Sequence, residues 1–314
     1  MARKPRLHFP GAIYHVSLSG NGDQRVATDI ADYTRLLLLL QEGVEKFGHR
    51  IHGYLLLPAE VRLVVEVGEV PLSRIMQQLG FRYTRWFNDR HTRQGHLFQG
   101  RYKAVLFDPE IYLLPLMRDL HLAPVSAGIE SDPMRYPWSS HRAYCAREQV
   151  LWLTRERLFT HFEETGIRAL MRFHGYVNEG LVEAANINFY TGGDYDPRIL
   201  GSREYARGVL KLSRQTCPPE VDPERVLALV LDEFQLVAEE LAAAGKNRHC
   251  AMARAFLGWL CLETSCMTLT NLGERLGRDV SSLSSAIRRL QLAAKKDPNL
   301  TERYHRLYQR ALQQ

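Results

Sequence analysis

The stretch RIHGYLLLPAEVRLVVEV, Arg50 to Val67, predicts two strands joined at Pro58. Short apolar runs bounded by a turn signal are typical of buried strands, and the tight connection favours a β-hairpin. Glu60 and Arg62 stand two apart near the start of the second strand, so both side chains face the same side of the sheet. A carboxylate and a guanidinium placed in this way either form an ion pair or replace groups that had another role.

Elements on both sides of this hairpin give the order βαββαβα. The sequence predicts a strand at 12–20, a helix at 28–47 closed by Gly48, a helix at 72–90, a strand at 101–107, and a helix that opens at Asp108, runs through His121 and stops at Pro124. This order predicts an α+β fold with a split, ferredoxin-like sheet and helices on one side. From Arg225 onward the pattern is all-helical.

Length and composition fit about two or three globular domains. The chain has 314 residues, of which 45% are hydrophobic and 24% charged. A run of about 18 apolar residues is absent, and no apolar segment follows the basic N-terminus, so neither a transmembrane helix nor a secretory signal is expected. The five cysteines are scattered and odd in number, and Cys261 and Cys266 lack partners at zinc-site spacing, which indicates reduced thiols and no zinc site.

Positive charge is concentrated in two regions. The formal net charge of the chain is +6. Residues 72–103 hold seven Lys or Arg and one acid, and residues 245–296 hold nine basic and three acidic residues, so each region alone carries +6. Two such regions indicate two sites for a polyanion, although one region alone is equally typical of a solvated surface.

Four blocks of sequence carry a family resemblance: MARKPRLHFPGAIYHV (1–16), GHLFQGRYKAVL (95–106), HLAPVSAG (121–128) and YPWSSHRAY (136–144). Together they resemble the REP-associated tyrosine transposases of the HUH single-strand transposase superfamily, over about the first 145 residues. The resemblance implies a βαββαβα nuclease fold that recognises DNA hairpins.

The resemblance also implies a mechanism. In that family two histidines of a His-hydrophobic-His motif bind a divalent metal, a helix tyrosine attacks the scissile phosphate, and an amide residue one turn later helps to hold the metal. Here the histidine positions hold Glu60 and Arg62, the nucleophile position holds Asp119 and the amide position holds Ala123. Arg62 is a permanent cation without an acceptor lone pair, so it repels a metal. The joint change predicts a chain without catalysis, metal or cofactor.

Two arrangements of these residues stay open. In a retired site, Arg62 pairs with Glu60 or with Asp119. In a rebuilt site, the two carboxylates hold Mg²⁺, an arrangement that the charge of Arg62 opposes. Tyr83 and Tyr112 do not fall at the nucleophile position, so neither is expected to replace the family's tyrosine.

A hairpin-binding surface is expected around the helix at 72–90, together with a basic arm before the first strand that helps to read bases in the resembled family. Arg82 and Arg85 share a helix face, and arginine makes bidentate contacts to guanine and phosphate. Tyr83 or Trp86 is placed to stack on an unpaired base, although Trp86 and Phe87 equally fit a core. The predicted contacts are Arg3, Lys4, Arg6, Arg74, Arg82, Arg85, Arg90, Arg93, Arg101 and Lys103.

The second basic region reads as helix, glycine turn and helix in TNLGERLGRDVSSLSSAIRRLQ, residues 270–291. Its apolar face is predicted to consist of Leu272, Leu276, Val280, Leu283 and Ile287. Residues 225–291 are similar to the C-terminal DNA-binding domain of the bacterial replication initiator, in which a basic loop contacts phosphates and an Asp-His-Thr-Thr stretch reads bases. Here that stretch is Asp-Val-Ser-Ser (279–282), which implies a different target sequence. The predicted contacts are Lys246, Arg248, Arg278, Ser281, Ser282, Ser285 and Arg288.

These observations predict a transposase-like domain at 1–148, a helical connector and linker at 149–221, a helix-turn-helix domain at 222–296 and a basic C-terminal tail at 297–314. The predicted function is hairpin- or sequence-specific DNA binding that serves transcriptional or chromosomal regulation in the cytoplasm, on the nucleoid. The alternatives are an active single-strand DNA transposase or endonuclease and an RNA-hairpin binder. DNA is the expected partner, a homodimer stays open, and neither a membrane nor a small-molecule ligand is expected.

Overall fold

The computed structural model describes residues 6–22, 24–162, 164–182, 187–215, 221–243, 247–264 and 266–313. The chain forms two compact units, Met1–Gly193 with Pro197–Gln215 and Asp194–Asp196 with Thr216–Gln314. Within the described residues, no helix is both long enough and apolar enough to cross a membrane.

The first unit combines a sheet with helices, as the sequence predicts. Its elements are β1 (Ile13–Ser19), α1 (Ile30–Phe47), β2 (Arg50–Leu56), β3 (Glu60–Glu66), α2 (Leu72–Arg90), β4 (Lys103–Phe107), α3 (Pro109–Ser126), α4 (His141–Tyr144), α5 (Glu156–Phe159), α6 (Gly166–Glu179), α7 (Asn188–Thr191), β5 (Ile199–Leu200) and α8 (Arg203–Leu212). Short 3₁₀ turns cover Pro133–Arg135 and Gly180–Val182.

The sheet has the strand order β2-β3-β1-β4-β5. The first four strands pair antiparallel, with β3 inserted between β1 and β2, whereas β5 joins β4 in parallel. The predicted α+β class and βαββαβα order are therefore confirmed, and the sheet has one more strand than the sequence predicts.

Helices cover both faces of the sheet, so the expectation of helices on one side is wrong. Leu63 and Val65 of β3 line a small cavity together with residues of α1 and α2. On the other face, a Cβ added to Gly53 of β2 would lie 2.6 Å from the sulfur of Met117 on α3. Glycine at this position therefore allows α3 to pack closely on the strand.

The ends of α1 follow from local chemistry. The Asp29 side chain accepts hydrogen bonds from the backbone of Ala31 and Asp32, and Gly48 closes the helix with a φ of 64°. A carboxylate at the N-cap and a left-handed glycine after the last turn are the residue types that these positions favour. The predicted closure of this helix by Gly48 is thus confirmed.

Helix α3 continues to Ser126 and does not stop at Pro124. A proline removes one backbone donor, but beyond it the Ala127 amide still donates to the Ala123 carbonyl at 2.9 Å. Residues 149–193 and 197–215 belong to the first unit as well; within these ranges Phe173 of α6 is fully buried and β5 extends the sheet. They are therefore not a connector between units, and residues 216–220 of the predicted linker lie outside the described residues.

The second unit is helical, with α9 (Pro223–Phe234), α10 (Ala238–Ala242), α11 (Arg248–Thr264), α12 (Leu269–Leu276), α13 (Val280–Ala294) and α14 (Pro298–Leu312). Residues predicted as a basic tail at 297–314 instead form α14, whose Tyr304, Leu307 and Ala311 are buried in the core of this unit. The Tyr304 ring stacks on Trp259 with 3.7 Å between ring centroids. The helical spacing of these apolar residues outweighs the basic composition.

Candidate nucleic-acid interface

A groove of about 650 Å³ opens beside α2 in the first unit. Its walls are formed by one face of α2, by Leu18 of β1 and by the segment 96–102, with Arg6 at its edge. The segment is anchored by Leu97, which is fully buried. Gly95 and Gly100 on either side of Leu97 have φ values of 89° and 64°, a backbone conformation that glycine adopts without strain.

Helix α2 presents opposite faces to the core and to the groove. Leu79 and Tyr83 are buried, whereas Gln77, Phe81 and Arg85, at intervals of four residues, line the groove. Phe81 exposes 66% of its surface. The exposed ring offers a flat apolar surface to a ligand.

Arg6 is fixed at the groove edge by an aromatic ring. Its guanidinium carbon lies 3.5 Å from the centroid of the Tyr102 ring, and Nη2 donates to the Tyr102 carbonyl at 2.9 Å. Stacking on an aromatic face holds the planar guanidinium in one orientation without neutralising its charge.

The groove combines positive charge with aromatic surface. Arg6, Arg85 and Arg101 line it together with His96, and no carboxylate occurs among the described residues of its walls. Cations that line a groove together attract a polyanion, and an exposed ring between them can stack on an unpaired base. The groove thus has the chemistry of a single-strand or hairpin nucleic-acid site.

The predicted contacts of this half divide into four groups. Arg6, Arg85 and Arg101 line the groove. Arg74 and Lys103 are exposed but lie outside its walls. Arg3 and Lys4 lie outside the described residues.

The remaining three predicted cations have partners within the protein: Arg82 pairs with Glu42, Arg90 with Asp29 and Asp32, and Arg93 with Gln24. Arg90 reaches Asp29 at 2.7 Å and Asp32 at 2.8 Å, so it ties the end of α2 to the start of α1. The Asp32 side chain is fully inaccessible to solvent. Burial raises its pKa, but hydrogen bonds from His91 and Thr28 outweigh burial, and the pKa lies below its usual value.

Residues at the transposase-motif positions form a closed polar cluster on the α3 side of the sheet. Arg62 Nε donates to Glu60 at 2.8 Å, which is the first of the two pairings left open by the sequence. Arg62 Nη1 donates to the Tyr190 hydroxyl at 2.7 Å, and this hydroxyl donates to Asp119 at 2.9 Å. Arg62 therefore reaches Asp119 through the tyrosine of α7. Ala123, on α3, contributes no polar side chain.

Burial controls the acidity of this cluster. It raises the pKa of Asp119 and strongly raises the pKa of Tyr190. A raised pKa disfavours the tyrosinate, which is the nucleophilic form, and so opposes a nucleophilic role for Tyr190. Within the described part of the chain, the group of three side chains with metal-ligand proximity is His141, Cys145 and His174, and neither Glu60 nor Asp119 belongs to it.

In the second unit, α12 and α13 are joined by a three-residue turn at 277–279. Gly277 adopts a φ of 59°, and the Asp279 carboxylate accepts a hydrogen bond from the Ser282 amide at 3.1 Å. Polar side chains on the outer face of α13 are exposed: Ser281, Ser282, Ser284, Ser285, Arg288 and Arg289. Small polar residues at an exposed helix start leave room for close approach to a groove.

Other predicted residues of this unit differ in environment. Arg248 is exposed at the start of α11, whereas Arg278 is half-buried and donates to the Ala243 carbonyl. Val280 is 39% exposed, so its predicted place on the apolar face is wrong: as the first residue of α13 it precedes the buried turn. Lys246 lies outside the described residues.

The residues that the sequence interpretation misplaced or missed are mainly aromatic. Tyr83 is fully buried and donates to the Val26 carbonyl at 2.6 Å, so the expectation that it stacks on a base is wrong. The groove is instead lined by Phe81 and Tyr102. The phase of α2 could have identified Phe81, which falls opposite the buried positions, but no local signal connects Tyr190 with Arg62, 128 residues away.

No protein-family model matches this sequence. A search of solved structures finds similarity to a REP-associated tyrosine transposase bound to a REP hairpin, with 12% sequence identity and a TM-score of 0.42. The match covers 49% of this chain and 98% of the other. It is to the same family that the four N-terminal sequence blocks resemble.

Proposed function

We propose that the first unit binds a DNA hairpin through the groove beside α2 and does not cleave it. The observation that carries this proposal is the combination of Arg6, Arg85 and Arg101 with the exposed ring of Phe81 in one groove whose described walls lack carboxylates. Arginines bind backbone phosphates, and an exposed ring stacks on a base next to the duplex stem. The resemblance of the N-terminal sequence blocks to a hairpin-recognising family favours a hairpin over a plain single strand.

The proposed lack of cleavage rests on the cluster around Arg62. Arg62, whose hydrogen bonds go to Glu60 and Tyr190, stands at a position where the resemblance implies a metal-binding histidine. Its positive charge opposes a divalent cation, and it has no lone pair to offer one. Asp119 at the nucleophile position cannot form the phosphotyrosine of that family.

The test is a set of binding isotherms with the full-length protein and a fluorescent DNA hairpin carrying unpaired flanking bases. Arg85→Ala and Arg101→Ala should each weaken binding and flatten the dependence of log affinity on log salt by about one unit. Phe81→Ala should cost about 1–3 kcal/mol of binding free energy and leave the salt slope unchanged.

Arg74→Ala is the matched control, because Arg74 is an exposed arginine on the same helix that lies outside the groove. An equal loss for Arg74→Ala and Arg85→Ala would show that the charge of α2, and not the groove, attracts the ligand. Competition with an RNA hairpin of the same sequence distinguishes the DNA-binding proposal from an RNA binder, because RNA adds 2′-hydroxyl groups and A-form geometry.

A second candidate function is duplex DNA recognition by α13 of the second unit. The observation that favours it is the exposed row of serines and arginines that follows a three-residue turn containing a left-handed glycine. Binding of both a hairpin and a duplex site would suit transcriptional or chromosomal regulation on the nucleoid. Mapping the bound sites across a genome tests this role, and binding without preferred sites would contradict it.

A further inference from the structure

A cluster of imidazole and thiol groups lies outside the groove and outside the cluster around Arg62. His141 begins α4, Cys145 follows the last residue of that helix, and His174 lies on α6. Nε2 of His141 is 3.1 Å from Nδ1 of His174 and 3.6 Å from Sγ of Cys145. One ligand atom from each residue lies within 4.8 Å of the others.

We propose that His141, Cys145 and His174 bind a zinc ion, which links α4 to α6. Zinc bonds of about 2.0–2.1 Å to nitrogen and 2.3 Å to sulfur, at tetrahedral angles, place two nitrogen ligands roughly 3.3 Å apart and a nitrogen and a sulfur roughly 3.6 Å apart. The observed separations of 3.1 Å between the two nitrogens and 3.6 Å between nitrogen and sulfur are close to these values. The site therefore needs little rearrangement to accept the ion.

The donor set selects the class of metal. One thiolate and two imidazoles suit zinc and similar d-block ions, whereas Mg²⁺ and Ca²⁺ prefer oxygen ligands. Three protein ligands leave a fourth position for water. Cys145 and His174 are only half-buried, which gives a metal ion access from solvent.

Neighbouring polar side chains orient the rings of His141 and His174. Nδ1 of His141 lies 3.2 Å from Nδ1 of His121, whose Nε2 is 2.9 Å from the Ser140 hydroxyl. The Asn178 amide lies 3.1 Å from Nε2 of His174, and with its oxygen turned to the ring it accepts the Nε2 proton. Hydrogen bonds to the non-ligating nitrogens are the usual support of histidine ligands.

Without metal, the same contacts would be a chain of hydrogen-bonded neutral rings, and the experiment distinguishes the two. The full-length protein is freed of metal with a chelator and titrated with Co²⁺, which reports thiolate ligation by a charge-transfer band and tetrahedral geometry by intense visible bands. Elemental analysis after reloading with Zn²⁺ gives the stoichiometry. The proposal expects one ion per chain, displacement of Co²⁺ by Zn²⁺, and a higher melting temperature with zinc.

Loss of a residue that only hydrogen-bonds to a ligand weakens metal binding by about 10–100-fold. Cys145→Ser and His174→Gln each remove a ligand, so each should weaken metal binding by more than this and abolish the zinc-dependent rise in melting temperature. Cys266→Ser is the matched control, because Cys266 is also half-buried but lies in the second unit. The proposal would be overturned if the unmodified protein showed no cobalt band. It would also be overturned if the band persisted in both ligand variants or disappeared in Cys266→Ser. Because His174 is half-buried, His174→Gln keeps the test decisive if Cys145→Ser folds poorly.

Discussion

The Tyr190 hydroxyl donates a hydrogen bond to the Asp119 carboxylate at 2.9 Å and accepts one from Arg62 at 2.7 Å. Asp119 stands where the resembled transposases have their nucleophile, and Tyr190 comes from a helix beyond the four resembling blocks. The tyrosine ring also packs edge-on against His15, with 5.0 Å between ring centroids. The residues at these positions are therefore half-buried and hydrogen-bonded to one another.

Removing this hydroxyl should destabilise the first unit. Hydrogen bonds to charged groups contribute about 1.5–3 kcal/mol, against about 0.5–1.5 kcal/mol for neutral ones. Tyr190→Phe should therefore lower the free energy of unfolding more than Tyr205→Phe, which removes a hydroxyl of similar exposure that donates to the neutral Phe107 carbonyl at 2.8 Å. Urea unfolding at neutral pH measures both losses, and equal losses would mean that Tyr190 does not bridge the charged pair.

The cluster also predicts an absence of cleavage. Labelled hairpin DNA incubated with the protein and Mg²⁺ or Mn²⁺ should stay intact and form no covalent adduct, because Arg62 opposes the metal and burial raises the pKa of Tyr190 further above its usual value. The control is Asp119→Ala, which should behave like the unmodified protein. Specific nicking by the unmodified protein that this variant loses would instead identify a rebuilt nuclease site.

Local chemistry explains what could be predicted from the sequence. The β2–β3 hairpin follows from two apolar runs around Pro58, and the ends of α1 follow from Asp29 and Gly48. Strand alternation places Arg62 beside Glu60, which is one of the two pairings that the sequence left open. Each of these signals lies within a few residues of the element that it specifies.

Long-range packing explains what could not be predicted. Strand β5 has two residues and depends on pairing with β4, and Tyr190 meets Arg62 only after the chain has folded. Helix α14 did have a signal, the spacing of Tyr304, Leu307 and Ala311, but its basic residues suggested a tail. Three of the predicted cations, Arg82, Arg90 and Arg93, have partners in the protein. The sequence did not predict these pairs, because charge counts do not show where side chains point.

Stability of the first unit should fall as pH decreases from neutral toward 5. Burial lowers the pKa of His49 to about 4, whereas the unfolded value is about 6.5. Below that value the unfolded state binds the proton that the folded state excludes, so acid favours unfolding. This one residue should cost about 2 kcal/mol between pH 7.5 and pH 5.

Unfolding by urea at the two pH values checks this expectation. His49→Gln should reduce the pH dependence by about the stated amount, because a glutamine side chain does not titrate. His96→Gln is the control, since His96 is exposed and should leave the dependence unchanged. An unaltered slope in His49→Gln would show that this ring is not the titrating group.

Replacing Arg90 should affect stability, whereas replacing Arg85 should affect hairpin binding. Arg90→Ala breaks the contacts with Asp29 and Asp32 and leaves the buried Asp32 carboxylate with one cation fewer, so it should lower the melting temperature and leave hairpin affinity nearly unchanged. Arg85→Ala should weaken hairpin binding with little change in melting temperature. Melting temperature and hairpin affinity, measured on both variants, test whether the predicted cations divide into those that bind DNA and those that stabilise the fold. A strong loss of affinity in Arg90→Ala without a stability change would contradict this division.

In the second unit, sequence discrimination should depend on Ser282 and overall affinity on Arg248. Ser282 is exposed in the first turn of α13, where a helix entering the major groove meets base edges, and each lost base contact costs about 1–3 kcal/mol of discrimination. Ser282 stands three residues after the N-cap Asp279, a position at which glutamate favours a helix. Ser282→Glu should therefore keep the fold and reduce the ratio of specific to random duplex affinity.

Arg248→Ala supplies the contrast, because a cation at the exposed start of α11 contacts phosphates if the second unit binds DNA. This variant should weaken specific and random duplexes equally and flatten the salt slope by about one unit. Isotherms with both duplexes at two salt concentrations separate the two effects, once a specific duplex has been selected with the unmodified protein. If Ser282→Glu leaves the ratio intact while circular dichroism shows an intact helix, α13 does not read the groove, and its serines and arginines are an ordinary solvated face.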